Sequence, residues 1–118
     1  MSNKKPDKPA LFTVLSPSLL HLYDLSSSIV VIIDILRATS TIATALHNGA
    51  KEIIPVDSVA ECIRLSKQMA AISAGERDGQ IAEGLAYGNS PFIFTSEFVK
   101  GKSLVLTTTN GTRLLHQA

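Results

Sequence analysis

Ile29-Val30-Val31-Ile32-Ile33 is an unbroken β-branched run with no polar face. A run of this kind predicts a central parallel strand buried on both faces. Behind it stand Asp34, Arg37, Thr39, Ser40 and Thr41, and then Ile42, Ala43, Ala45 and Leu46 recur at helical spacing up to Asn48-Gly49. Asn-Gly is a good helix stop, because glycine takes the left-handed conformation without a Cβ clash.

The same strand, polar loop, helix order repeats downstream. Residues 51–56 predict a second strand, and Asp57-Ser58 can cap a helix carrying Val59, Ile63, Leu65 and Met69 on its apolar face. Residues 70–74 read either as the last turn of that helix or as a short strand. The strand is favoured because Gly75 and the charged cluster Glu76-Arg77-Asp78-Gly79 follow at once. Residues 81–89 predict an irregular loop. Ser90-Pro91 predicts a helix start, with Phe92, Ile93, Phe94 and Phe98 behind it and Lys100-Gly101-Lys102 at its close. Residues 103–108 predict another buried strand, and Asn110-Gly111-Thr112 leads into a helix from Arg113. Residues 11–15 predict a short edge or entry strand. The expected fold class is therefore α/β, a layered α/β/α arrangement with a mainly parallel sheet. Because residues 113–118 give only the first turns of a helix, the chain reads as truncated.

The 118 residues suffice for one domain and one core. With no Trp, the core must come from Ile, Val, Leu and Ala, which suits a parallel sheet covered by helices. A net charge of +1 supplies no global field toward nucleic acid or an anionic membrane, so anion recognition must be local. No apolar run approaches the ~18 residues of a membrane span. Residues 1–10 are polar and proline-containing, without the apolar core of a signal peptide, and predict a disordered tail ahead of an α/β domain over 11–118. The single cysteine, Cys62, fits a reducing, cytoplasmic setting and reads as a packing residue rather than a nucleophile.

In open α/β sheets, ligands bind at the carboxyl ends of the strands beside the following helix starts. Three segments converge there: Asp34 to Thr41, Gly75 to Gly79, and Thr107 to Arg113. The first offers hydroxyls at a helix start, and Arg37 can grip phosphate or sulfonate oxygens in bidentate fashion. Thr39 or Ser40 as plain helix caps, with Asp34 turning the loop, is the competing reading. The third offers Asn110, Thr112 and Arg113 at a polar strand tip, whereas Thr107 and Thr108 read more simply as strand residues. Asp34 and Glu76, with Glu83 or Asp78 nearby, are oxygen ligands of the kind Mg²⁺ takes. His21, His47 and His116 are scattered and give no zinc spacing, and neither GxGxxG nor GxxxxGK[ST] is present.

The run Val31 to Ile42, together with Asn48-Gly49-Ala50, Gly75-Glu76-Arg77, Gly88-Asn89-Ser90-Pro91 and Leu106 to Arg113, closely resembles the 2-phosphosulfolactate phosphatases. The resemblance runs from about residue 29 onward, with the motifs in the family's order. It implies a Mg²⁺-dependent hydrolase releasing phosphate from 2-phosphosulfolactate, on the route to coenzyme M, and a chain corresponding to the N-terminal half of longer members. It also implies catalytic roles for Asp34, Arg37 and Glu76, with Asp34 and Glu76 at a metal or general-base position. Thr39, Ser40, Arg77, Asn110, Thr112 and Arg113 would then bind substrate oxygens. The implied partner is a small phosphorylated acid, with no nucleic acid and no membrane, and a homo-oligomer is left open. Two other readings stand beside it: a non-catalytic binding or assembly module of the same fold, and a lyase or transferase acting on a phosphorylated acid.

Overall fold

The structure, a computed structural model, describes residues 8–117, excluding the side chains of Arg113, His116 and Gln117. Most of the expected N-terminal tail, residues 1–7, lies outside the described residues.

Helix α1 (Ala38–His47) buries Ala38, Thr41 and Ala45, positions three and four apart that share one face. It stops where the sequence predicts, at Asn48 followed by Gly49 with φ of 94°. Strand β1 (Glu52–Pro55) leads to α2 (Val59–Met69), whose first turn is capped by the Ser58 hydroxyl accepting from the Glu61 N–H at 3.2 Å. Strand β2 (Ile72–Arg77) turns back into the two-residue β3 (Gln80–Ile81). The short helix α3 (Ser96–Val99), β4 (Ser103–Thr107) and α4 (Gly111–Gln117) complete the order. The sheet runs β1-β4-β2-β3, parallel except for the β2–β3 hairpin.

The centre of this sheet is β4. Leu104, Val105 and Leu106 are fully buried, and β4 is paired on both sides, Ile53 to Leu104 from β1 and Ala74 to Leu106 from β2. Its alternation splits the core into two layers. Leu104 and Leu106 pack with Ala45 of α1, Phe94 and Val99, while Val105 packs with Cys62 of α2 and Val56. Helices thus cover both faces, as the α/β/α reading requires. Each of these large apolar side chains contributes roughly 1.5–3 kcal/mol by leaving water. Cys62 is a packing residue: burial pushes its thiol pKa up, against weaker lowering contributions from Ala74 and Arg77, and its Sγ lies 3.3 Å from the Val105 carbonyl.

Three expected elements differ. Residues 29–33 form no strand, and Ile29, Val31 and Ile33 are 95%, 75% and 74% exposed. A buried parallel strand needs a neighbour on each side, and β4 holds that position here. Residues 11–15 are likewise irregular. Phe12 rests against Tyr23 at 5.6 Å between ring centres, ahead of a 3₁₀ turn over Pro17–Leu22. The helix expected after Ser90-Pro91 is two short pieces, a 3₁₀ turn at Pro91–Ile93 and then α3, because Phe94 leaves helical geometry to fill the core.

Candidate functional site

Since β1, β4 and β2 are parallel, their carboxyl ends share one edge. Arg77, at the end of β2, ties that edge together. Its guanidinium donates to the Thr107 hydroxyl at 2.9 Å, to the Asp57 carbonyl beyond β1 at 3.3 Å and to the Glu76 carbonyl at 2.7 Å. The hairpin that presents Glu76 and Arg77 turns through Asp78 and Gly79, with φ of 52° and 78°. Two successive positive φ values mark a turn matched to strand twist, and glycine accepts that geometry at no steric cost.

Glu76 reaches across to the loop after β4. Its carboxylate accepts from the Thr109 N–H at 2.7 Å, the Thr109 hydroxyl at 3.0 Å and the Gly79 N–H at 3.0 Å. Burial pushes its pKa up, but those bonds and the Arg77 charge outweigh burial and hold the carboxyl below its ordinary range. Glu76 is therefore a carboxylate at neutral pH.

On the other side of the same loop lies Asp34. Its backbone is folded onto the start of α1, with the Thr39 N–H donating to the Asp34 carbonyl at 2.9 Å and the Asp34 N–H donating to the Thr39 hydroxyl at 3.3 Å. The Ser40 hydroxyl donates to the Ile35 carbonyl at 2.7 Å, and Arg37 sits exposed at the helix start with no capping bond from its side chain. The hydroxyls of Thr39 and Ser40 are thus both engaged in shaping the 34–37 loop, and neither caps α1, whose N-cap residue is Arg37. Gly111 is where the two halves of the edge meet. A Cβ there would lie 2.9 Å from the Ala38 Cβ, 3.0 Å from Asp34 Oδ2 and 3.2 Å from the Thr108 hydroxyl. Only glycine lets the Asp34 carboxylate and the loop come this close.

Thr108 and Thr112 brace the loop reciprocally. The Thr108 N–H donates to the Thr112 hydroxyl at 3.0 Å, and the Thr112 N–H donates to the Thr108 hydroxyl at 3.1 Å. The exchange closes the turn that leads from β4 into α4. Thr112 is fully buried, so its hydroxyl serves the fold in this conformation, whereas Asn110 is exposed at the loop tip and Arg113 lies in the first turn of α4. Asp78 and Glu83 are both exposed. His21 and His47 stand apart from this edge on other elements, and His116 lies toward the end of α4.

Sequence reasoning assigned no individual role to Thr109 or Asn89, and counted Thr41 only among the hydroxyls at the start of α1. Thr41 donates through its hydroxyl to the Asn89 carbonyl at 3.2 Å, pinning the 88–91 loop to α1. Asn89 is 2% exposed, and its Oδ1 has no hydrogen-bond partner among the described residues. An asparagine between Gly and Ser-Pro reads as a turn residue, so nothing in the sequence announces its burial.

The donor set fits Mg²⁺ only in part. Among the described residues, no group of three or more His, Cys, Asp or Glu side chains is gathered. Mg²⁺ needs one or two carboxylates when waters and a phosphate complete its octahedron. Asp34 suits that use, since no side-chain hydrogen bond to its carboxylate is formed among the described residues. Glu76 would have to exchange a bond to Thr109 or Gly79 to join it.

A family model described as 2-phosphosulpholactate phosphatase matches residues 14–118. A protein of Caldanaerobacter subterraneus subsp. tengcongensis named "Probable 2-phosphosulfolactate phosphatase" is 55% identical over 95 residues, 78% of this chain and 39% of that relative. A protein of the same name from Clostridium acetobutylicum is 51% identical over 87 residues, 72% of this chain and 37% of that relative. One from Clostridium perfringens is 40% identical over 108 residues, 87% of this chain and 44% of that relative. The matched region thus spans less than half the length of these curated relatives.

Proposed function

Because this chain belongs to the 2-phosphosulfolactate phosphatase family, we propose that it supplies the phosphate-binding edge of a hydrolase acting on 2-phosphosulfolactate or a related phosphorylated 2-hydroxy acid. The observation that carries the reading is the meeting of Asp34, the start of α1 and the loop from Thr107 to Thr112 at the carboxyl edge of a parallel sheet. That edge is where such sheets receive anionic ligands.

In this reading Arg37, exposed beside the edge, carries positive charge toward the phosphate and sulfonate oxygens, and Arg113, whose backbone lies in the first turn of α4, is the second arginine assigned to them. Asn110, Thr39 and Ser40 stand where substrate oxygens would lie, the last two by exchanging their present backbone partners. Arg77 and Glu76 hold the strand ends and the 107–112 loop in place. Glu76 also remains a carboxylate able to take a proton from an attacking water, provided that it gives up one of its three bonds. Asp34 is the residue that would hold Mg²⁺, which when bound offsets the charge on the phosphoryl oxygens. Hydrolysis joins the water oxygen to phosphorus and breaks the phosphorus–ester oxygen bond. The water proton goes to a carboxylate, and the leaving alkoxide is protonated as the hydroxy acid.

Phosphate release from 2-phosphosulfolactate and 2-phospholactate, measured with Mg²⁺ and with EDTA, tests the reading. The expected result is metal-dependent release that falls at least about 100-fold in Asp34→Ala. A folded chain with no release supports the non-catalytic binding or assembly module, a reading favoured independently by the bare apolar residues 29–33. Conversion of the substrate without free phosphate would indicate the lyase or transferase.

A further inference from the structure

Residues 29–33 form an apolar ridge that the described fold leaves uncovered: Ile29, Val31 and Ile33 are 95%, 75% and 74% exposed, and Leu36 just beyond is 92% exposed. The ridge is seated on the fold. Val30, Val31 and Ile32 line an apolar cavity of about 290 Å³ with Ile42 of α1 and Leu115 of α4. Over residues 29–33 exposure alternates as in a strand, Val30 at 37% and half-buried Ile32 being less exposed than their odd-numbered neighbours. Yet the main chain of residues 29–33 makes no hydrogen bond among the described residues. An unpaired, β-branched, uncharged stretch is a template for strand addition, and an exposed apolar patch of this kind marks a docking surface.

We propose that the occupant of this ridge is the polypeptide that the longer relatives carry outside the matched region, contributing a β-strand that pairs along residues 29–33 and buries their outward side chains. Two observations favour this occupant over a second copy. The ridge lies inside the family match over residues 14–118, while that match leaves more than half of each relative's length to be placed. In addition α4, the last described element, lines the same cavity through Leu115. Polypeptide that continues from α4 in a longer relative would therefore start beside the ridge. The ridge runs directly into Asp34 and Arg37, so whatever covers it also borders the candidate site.

The test is hydrogen exchange, read at residues 29–33, on the full chain alone at two concentrations and on a chimera. The chimera joins this chain to the part of the Caldanaerobacter relative that lies outside the matched region. The amides of β4 report that each sample is folded. Residues 29–33 should exchange freely in the chain alone at both concentrations and slow by about 100-fold or more in the chimera. Val31→Asp and Ile33→Asp in the chimera should remove that protection while β4 stays protected. Protection in the chain alone that rises with concentration would overturn the proposal in favour of a second copy. Free exchange at 29–33 in a chimera whose β4 is protected would overturn it outright. If the chimera does not fold, the same measurement on the aligned run of the intact relative gives the same decision.

Discussion

The carboxylate of Glu76 bonds Thr109 and Gly79 at once, so one side chain closes both the β2–β3 turn and the loop after β4. Its pKa is depressed in the folded state, so the ionised form contributes stability above its ordinary value of 4.5, and that contribution is lost as pH falls through the folded value. Glu76→Gln should therefore lower the melting temperature at pH 7. The gap from wild type should narrow as pH drops below about 4, which thermal melts across a pH series would measure. Gly111→Ala should act differently, by pushing Asp34 and Thr108 off the shared contact. Overpacking of this kind costs typically 1–3 kcal/mol, and denaturant melts should show it together with weaker phosphate binding. At this scale the sequence was half legible. Asp34, Glu76 and Arg77 each reach the segment from Thr107 to Gly111, and Thr39 and Ser40 hold the loop that carries Asp34. The use of each hydroxyl was hidden, because bracing a loop at a helix start and gripping an anion call for the same residue at the same position. The hydroxyls of Thr39 and Ser40 are at present occupied by backbone groups.

Among the elements, those with a local chemical marker were readable. Ser58 caps α2 as its sequence announces, and Ser58→Ala should cost about 1 kcal/mol in a urea melt. Asn48-Gly49 ends α1, and Asp78-Gly79 turns the hairpin, both through positive φ at glycine. The strands were harder to rank. Residues 29–33 and 104–106 are both continuous apolar runs, and periodicity does not say which one receives neighbours on both sides. Pairing is a long-range property, and here β1 and β2 pair with β4. Residues 91–99 failed as one helix for a similar reason: Phe94 is drawn into the core cluster with Ala45 and Leu104, and the chain bends to let it in.

On the scale of the whole molecule, a sheet of four strands with helices on both faces is complete at its centre and bare along one apolar ridge. The α/β class with a parallel sheet was legible because β-then-α order repeats, whereas the bare ridge was not, since exposure depends on what else is present. No helix among the described residues is long and apolar enough to cross a membrane. The central claim is that a phosphorylated acid binds at the edge bounded by Asp34, Glu76 and the loop from Thr107 to Thr112. Amide chemical shifts recorded while 2-phosphosulfolactate is added, with and without Mg²⁺, test it most directly. The account predicts Mg²⁺-dependent changes confined to residues 34–40, 75–79 and 107–113, and their loss in Asp34→Ala. A folded chain with no change, or with changes centred away from this edge, for example around Lys100 and Lys102, would contradict it.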